Sequence, residues 1–327
     1  RHRDPGGNAR VIGNVCRSMD MRIYIGITDR DWFHFLRFRK AEEMNFWRPR
    51  NTSDFGAIKP GELFLFKTRY PENCVVGGAF LVRHTTLPLD LAWSTFGEAN
   101  GVASLRDFRA KISSLRGDGE INPVIGCTVL TQPFYLEDHA FLAPPNDWAS
   151  NIVTGKSYDA AAGEGLRLFE QAKAAILSTR PISMDNIVSE GAPRYGDERL
   201  MRPRLGQGGF RIVVMDEYER RCAITGERTL PVLEAVHIQP YSEEGPHEVS
   251  NGLFLRSDLH TLFDRGYITI TNDLRVEVSR RIREEFSNGR DYYALHGREL
   301  KVLPVNRAHR PSPTFLEWHH NHCFLSA

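Results

Sequence analysis

The sequence predicts an α+β protein in two parts: an N-terminal mixed β-sheet or barrel with helices, then a C-terminal unit of two strands and a helix. Three observations predict it. Short β-like runs are scattered among short helical patterns over the first 160 residues. A stretch rich in Pro, Gly and charge, 178–209, then divides the chain. Beyond it an apolar run ending at His237, a polar loop, a returning arm from Asn251 and a helical pattern from Ser257 follow in tight order.

Composition bounds the answer. The chain has 327 residues, enough for two domains of ordinary size. With 41% hydrophobic and 25% charged residues it has the profile of a globular chain rather than a disordered one. No apolar run approaches the roughly 20 residues of a membrane span, and no secretory apolar region stands near the start. The expected location is therefore the cytoplasm, with no membrane partner. The five cysteines, Cys16, Cys74, Cys127, Cys222 and Cys323, are odd in number and widely spaced. No C-x-x-C pair occurs, which argues against a disulfide framework or a four-cysteine zinc site. The net charge of +1 gives no global attraction to nucleic acid, so phosphate binding has to come from local patches. One candidate patch runs from Arg199 to Arg221; a solvated linker and helix is the plainer reading of it.

The elements follow in order. Residues 1–20 are polar and read as a disordered stretch or an extension. Arg22-Ile-Tyr-Ile-Gly-Ile alternates as a strand does, and Thr28 or Asp29 can cap a helix carrying Trp32, Phe33 and Leu36. Asn45-Phe46-Trp47-Arg48-Pro49 reads as an aromatic loop. The turn Lys59–Glu62 introduces the strand Leu63–Lys67. The next strand, Val75–Val82, has a glycine pair at 77–78 that signals a bulge or a close backbone approach. A helical turn over Pro88–Phe96, a helix over Ser104–Leu115 and a strand over Ile125–Leu130 complete the first part. A helix is expected from about Gly163 to Leu177, with Leu166, Phe169, Ala172 and Ile176 on one face. An amphipathic helix over Phe210–Arg221 leads into the last part. The resulting division is an extension at 1–20, a first domain at 21–160, a helix and linker at 161–209, and a second domain at 210–327.

The chemistry concentrates in Leu233–Asp264. A strand presents His237, and Asn251 stands on the returning arm. His260 and Asp264, four apart on a predicted helix that Ser257 can cap, share one face. Hydrolysis of a phosphodiester needs a base for water, a cation against the charge that builds on phosphate, and a frame holding both. Histidine suits the base because its ordinary pKa is about 6.5. A His/Asp pair at this spacing suits one divalent ion, and asparagine can either fix a loop or lend its carbonyl to a hard metal. Taken singly, each residue has an ordinary structural reading: a polar strand end, an Asn-Gly hairpin turn, a surface pair on a helix. Their order and spacing set the combination apart.

This segment resembles the HNH, or ββα-metal, nucleases. The resemblance covers about residues 205–305. It is carried by Glu234-Ala-Val-His-Ile238 on the strand, Asp258-Leu-His-Thr-Leu-Phe-Asp264 on the helix, Arg221–Gly226 before them and Tyr293–Arg298 after. It implies His237 as general base, Asn251 as the residue that orients the base loop or ligates metal, and His260 as the helix histidine at the metal. Asp264 stands where some relatives carry a second helix ligand. The implied cofactor is one Mg²⁺ or Mn²⁺ ion held by His260, Asp264 and Asn251. Many relatives carry Asp or His immediately before the base; here that residue is Val236, so the shell is thin, filled by water or supplemented by Glu234. His319, His320, His322 and Cys323 fit no catalytic spacing and read as a packing segment.

The first 150 residues resemble the PUA-like superfamily, especially its EVE branch. The shared features are the strand followed by Asp31-Trp32, the Asn45-Phe46-Trp47 segment, Lys59–Glu62 before a strand, and Val76-Gly77-Gly78. The resemblance implies a pocket for a flipped, modified base, which needs aromatic walls for stacking and polar atoms to read the base edge. Trp32, Phe46, Trp47, Trp93 and Trp148 are the aromatic candidates and Asn45 the polar one, with Trp47 first because Arg48-Pro49-Arg50 follows it. Core packing is the plain alternative for each. The expected function is restriction of double-stranded DNA carrying modified bases. Its rivals are an HNH nuclease or nickase indifferent to modification and a non-catalytic binder of modified nucleic acid. A homodimer is expected if both strands are cut.

Overall fold

The computed structural model describes residues 21–50, 55–179 and 205–326. The extension expected at 1–20 and most of the linker expected at 178–209 lie outside them. Among the described residues no helix is long and apolar enough to cross a membrane.

The fold is α+β, as predicted. β1 (Arg22–Thr28), β2 (Glu43–Arg48), β3 (Leu63–Thr68), β4 (Val75–Pro88), β5 (Val124–Tyr135) and β6 (Gly155–Asp159) form one mixed sheet in the order β2-β5-β4-β3-β1-β6. β1 runs parallel to β3; the other neighbours are antiparallel. The segment expected as an aromatic loop is β2, paired with β5 from Glu43↔Thr131 to Arg48↔Gly126. Its side chains alternate, Met44 and Phe46 to one face and Asn45 and Trp47 to the other. Composition alone hides that alternation, because apolar residues face both ways. The glycine pair does what its position implied. A Cβ on Gly77 would meet the Phe134 carbonyl oxygen at 2.4 Å, one on Gly78 the Phe64 oxygen at 2.7 Å, and the register shifts next to them.

Helices cover the sheet because each has one apolar stripe to bury. α1 (Arg30–Arg39) starts where Asp29 accepts the Trp32 N–H at 3.1 Å, and it lays Trp32, Phe33 and Leu36 on one face. On the other face α4 (Gly163–Thr179) packs Leu168, Phe169 and Ala172 against Ile23, Ile25, Leu63 and Leu65. Leu166, expected on that stripe, is exposed, and Leu168 takes the buried place. α2 (Leu89–Phe96) and α3 (Leu105–Arg116), the latter capped by Ser104, close the end of β4 and β5.

The C-terminal part contains α5 (Gln207–Glu217), β7 (Leu233–His237), β8 (Gly252–Arg256), α6 (Ser257–Asp264), β9 (Ile268–Ile270) and β10 (Val276–Val278). After them come α7 (Arg281–Phe286), α8 (Arg290–Tyr293) and α9 (Pro313–His322). The cap expected from Ser257 is absent: Ser257 is the first helical residue of α6 and Arg256 holds the cap position without a side-chain bond.

α5 was expected to be amphipathic, yet Phe210, Ile212, Val213, Val214 and Met215 are all buried. The helix has two neighbours rather than one. A single buried cluster runs from Leu87, Ile125 and Val129 of the sheet through α5 to Val236, Leu253 and Phe254 of the β7–β8 pair. Two polar ties hold this junction. The Glu43 carboxylate of β2 accepts the N–H groups of Gly208 (2.7 Å) and Gly209 (2.8 Å), donors that a first helical turn leaves unpaired. At the other end Arg83 pairs with Glu217 at 2.7 Å, and Arg220 donates to Thr85 Oγ1 and the Thr86 carbonyl. Glu43→Ala should therefore destabilise the protein by about 2–3 kcal/mol, the range for hydrogen bonds to a charged group with the partner donors left buried. Urea unfolding of the full chain checks this, and an unchanged midpoint would show that α5 is not anchored at Glu43.

Candidate active site

β7 and β8 pair with His237 opposite Gly252 and Glu234 opposite Leu255, and α6 follows β8 without a gap. The chain between the strands is closed by Asn251, which has no exposed surface. Its Oδ1 accepts the Gln239 N–H at 2.9 Å, and its Nδ2 donates to the carbonyls of Gln239 (2.9 Å) and Pro246 (3.0 Å). Gly245 completes the closure, donating to the Pro240 carbonyl where any Cβ would strike the Gln239 carbonyl oxygen. Asn251 is thus a loop-fixing residue. The metal-ligand role expected for it does not fit, since its carbonyl is buried and engaged by backbone.

His237 lies at the end of β7 with its ring stacked on Phe210 of α5, at 3.8 Å between centroids and 11° between planes. Its Nε2 is 2.8 Å from His247 Nδ1. The His247 ring in turn lies parallel to Tyr241 at 4.7 Å. Burial, helped by the neighbouring His247, pushes His237 down to about 4. The ring is therefore neutral near neutral pH and has a lone pair to offer. Burial also lowers His247. Phe210 and His247, which contact His237, were not among the candidates the sequence offered. The available signal was a histidine in the polar loop between the strand histidine and the asparagine.

His260 is held the opposite way. Glu234 meets its Nδ1, and Asp264 Oδ2 lies 3.0 Å from its Nε2. The Asp264 hydrogen bond raises its pKa; burial opposes this and Glu234 adds to it. Arg211 of α5 also faces the charge of Glu234, and burial lowers its pKa. The two carboxylates sit at opposite nitrogens of one ring, so they do not converge on a point. Among the described residues no three His, Cys, Asp or Glu side chains form a ready metal cluster. The donor chemistry nonetheless fits a divalent ion at two residues. With Glu234 accepting Nδ1–H, the tautomer leaves Nε2 as the ligand nitrogen and Asp264 beside it as a hard oxygen donor. Glu234 lies at Nδ1, the ring nitrogen opposite the one that faces Asp264, and Val236 is buried in the core.

The six base-binding candidates do not come together. Trp32 and Phe46 are buried edge to face between α1 and the sheet, centroids 5.5 Å apart. On the other face of β2, Asn45 donates to Asn100 Oδ1 and the Trp47 indole N–H to the Asn100 carbonyl, both within 3 Å. Trp47 and Trp93 both pack on Phe108. Trp148 belongs to the α4 side, with Lys67 Nζ 5.0 Å from its ring centre. His319 is a packing residue as expected: it stacks on Phe263 and bonds Thr269 Oγ1 and the Phe263 carbonyl.

Comparison with known proteins agrees with the geometry of the C-terminal part. Residues 222–271 match the HNH endonuclease family, which places an HNH endonuclease domain over β7, β8, α6 and β9. No curated protein matches the chain. Among solved structures, ASCH from Zymomonas mobilis is similar at 13% identity, covering 45% of this chain and 94% of its own, with a TM-score of 0.32. The modification-dependent TagI restriction endonuclease is similar at 14% identity, covering 86% and 75%, with a TM-score of 0.26.

The two site histidines should titrate far apart. In metal-free protein His260 should titrate above its ordinary value of about 6.5, and His237 should stay neutral down to about pH 4. A raised folded-state pKa contributes stability that is fully present below about 6.5 and is lost as pH rises through the folded pKa. Asp264→Asn should lower the His260 pKa and flatten that loss. NMR titration of the histidine ring protons reads both values, and a His237 pKa above that of His260 would overturn the assignment.

Proposed function

We propose that this protein is a metal-dependent endodeoxyribonuclease that restricts DNA carrying modified bases. The observation that carries the nuclease reading is the match of 222–271 to HNH endonucleases at a site where a neutral, stacked His237 ends β7 and Glu234, on the same strand, holds His260. His237 takes a proton from water as the water oxygen bonds to phosphorus and the bond from phosphorus to the leaving sugar oxygen breaks. Asn251 keeps the loop beside the base closed. Glu234 fixes the ring of His260, and His260 and Asp264 hold one Mg²⁺ or Mn²⁺ ion. When bound, that ion offsets the negative charge developing on the phosphate.

Modification dependence is supported by the separate N-terminal sheet at 21–160 and by its PUA-like sequence features, with the nuclease at 210–327. A second reading, a nuclease indifferent to modification that uses the sheet to grip DNA, is favoured by one observation: the aromatic candidates, Trp32 and Phe46 buried and Trp47, Trp93 and Trp148 half-buried, are divided among three packed clusters. Cutting both strands would call for a homodimer, which sedimentation on DNA would reveal.

The test compares cleavage of matched modified and unmodified duplexes with Mg²⁺ or Mn²⁺ supplied. Wild type should cut modified DNA selectively and lose activity in excess chelator. His237→Ala should lose about 10²–10⁴-fold in rate, the usual worth of a general base, with DNA binding retained. Equal cutting of both duplexes would select the second reading, and full activity in chelator would remove the metal mechanism. Trp47→Ala tests the reader: loss of one stacking wall is worth roughly 1–3 kcal/mol per base. Undiminished selectivity in that variant would exclude Trp47 from the pocket.

A further inference from the structure

His247 is fixed around its ring. Its Nδ1 is bonded to His237 Nε2, one face lies parallel to Tyr241 at 6°, and Phe210 stands 5.8 Å away. The backbone just before it is pinned as well, since Asn251 Nδ2 holds the Pro246 carbonyl. His237 is equally confined by the Phe210 stack, and its Nε2 bond to His247 is the only one the described residues make to that ring. Two neighbouring histidines are common; two whose planes and contacting nitrogens are both fixed form an oriented pair.

We propose that His247 is a positioning residue for the base: its Nδ1 accepts the Nε2–H of His237 and so leaves the His237 Nδ1 lone pair for water. This rests on the nuclease reading with His237 as base. The direction of the bond follows from proton counting. A neutral imidazole carries one N–H. If His247 were the donor, the Nε2 lone pair of His237 would be used up and its single proton would sit on Nδ1, leaving no base. With His237 as donor, the open nitrogen is the basic one. Burial keeps both rings neutral, so the pair enters the reaction with one proton between the facing nitrogens. When Nδ1 gains the proton from water, the Nε2–H···Nδ1 bond becomes charge-assisted and strengthens as the cation forms.

Three substitutions separate this role from a structural one. Asparagine places its Oδ1 near the position of the histidine Nδ1, and glutamine carries its amide one bond further out. His247→Ala should lower kcat about 10- to 100-fold, the usual cost of losing an orienting partner, with KM for DNA within about twofold. His247→Asn should recover most of the rate and His247→Gln should not. In ¹⁵N spectra of the folded protein, His237 Nε2 should resonate as protonated and Nδ1 as a free lone pair. His247→Ala should mix the two tautomers. The proposal is overturned if His247→Ala cuts at the wild-type rate or faster, in which case the ring merely covers the base. Equal rates for the Ala and Asn variants, or a protonated His237 Nδ1 in wild type, also overturn it; the wild-type spectrum decides even if a variant fails to fold. His237→Ala keeps the two readings apart: full activity there removes the base itself, whereas its loss alongside an unaffected His247→Ala removes only the positioning role.

Discussion

Glu43 accepts two backbone N–H groups at the start of α5, and the geometry of the nuclease site depends on where that helix lies. Directly after the clamp, Phe210 provides the surface on which His237 is stacked and Arg211 faces Glu234. Gly208 is favoured by space: a Cβ there would meet Glu43 Oε1 at 2.7 Å and the Phe96 ring at 2.8 Å. A strand of the N-terminal sheet and the His237 ring are thus fixed to the same short helix. Position passes from one to the other through packed side chains, with no loop between.

Two residues of one type are given opposed properties by what surrounds each ring. His237 is stacked on a hydrocarbon ring and faces only another imidazole, so burial dominates and the ring stays neutral. His260 is buried to a similar degree, yet has a carboxylate at each nitrogen, and the Asp264 bond outweighs the cost of burial. A base needs the first environment and a cation-binding place the second. This division also explains why Asp264 and Glu234 belong with the helix histidine: a carboxylate against His237 would raise its pKa and protonate it.

The elements that carry the candidate site were legible in the sequence, for local reasons. The strand, short closed loop and helix that hold His237, Asn251 and His260 are each specified by nearby residues, and i, i+4 spacing brings His260 and Asp264 together. Asp29, Ser104 and the Gly77–Gly78 approach were legible for the same reason. What was not legible depends on partners distant in the chain. β2 looked like a loop because its strand identity comes from pairing with β5, whose partner residues lie 78 to 88 positions further along the chain. Leu168 replaced Leu166 because the sheet, and not the helix pattern alone, chose the buried stripe. The Trp47 ring was assigned to an open wall, whereas Asn100 and Phe108, from outside its own strand, hold it in place.

The linker seen in the sequence implied two modules that merely share a chain, and α5 argues for a closer union. Its buried residues touch the sheet on one side and the β7–β8 pair on the other. Removing either partner would expose an apolar face of the helix, at about 25 cal/mol for each Å² uncovered. The Arg83–Glu217 pair would also be broken, and the N–H groups that Glu43 now satisfies would lose their acceptor. Phe210, on which His237 stacks, lies on this same helix. A nuclease half without the sheet would therefore lose support for His237 along with the contacts that hold α5. The sheet and the β7–β8 pair are joined at one packed core cluster.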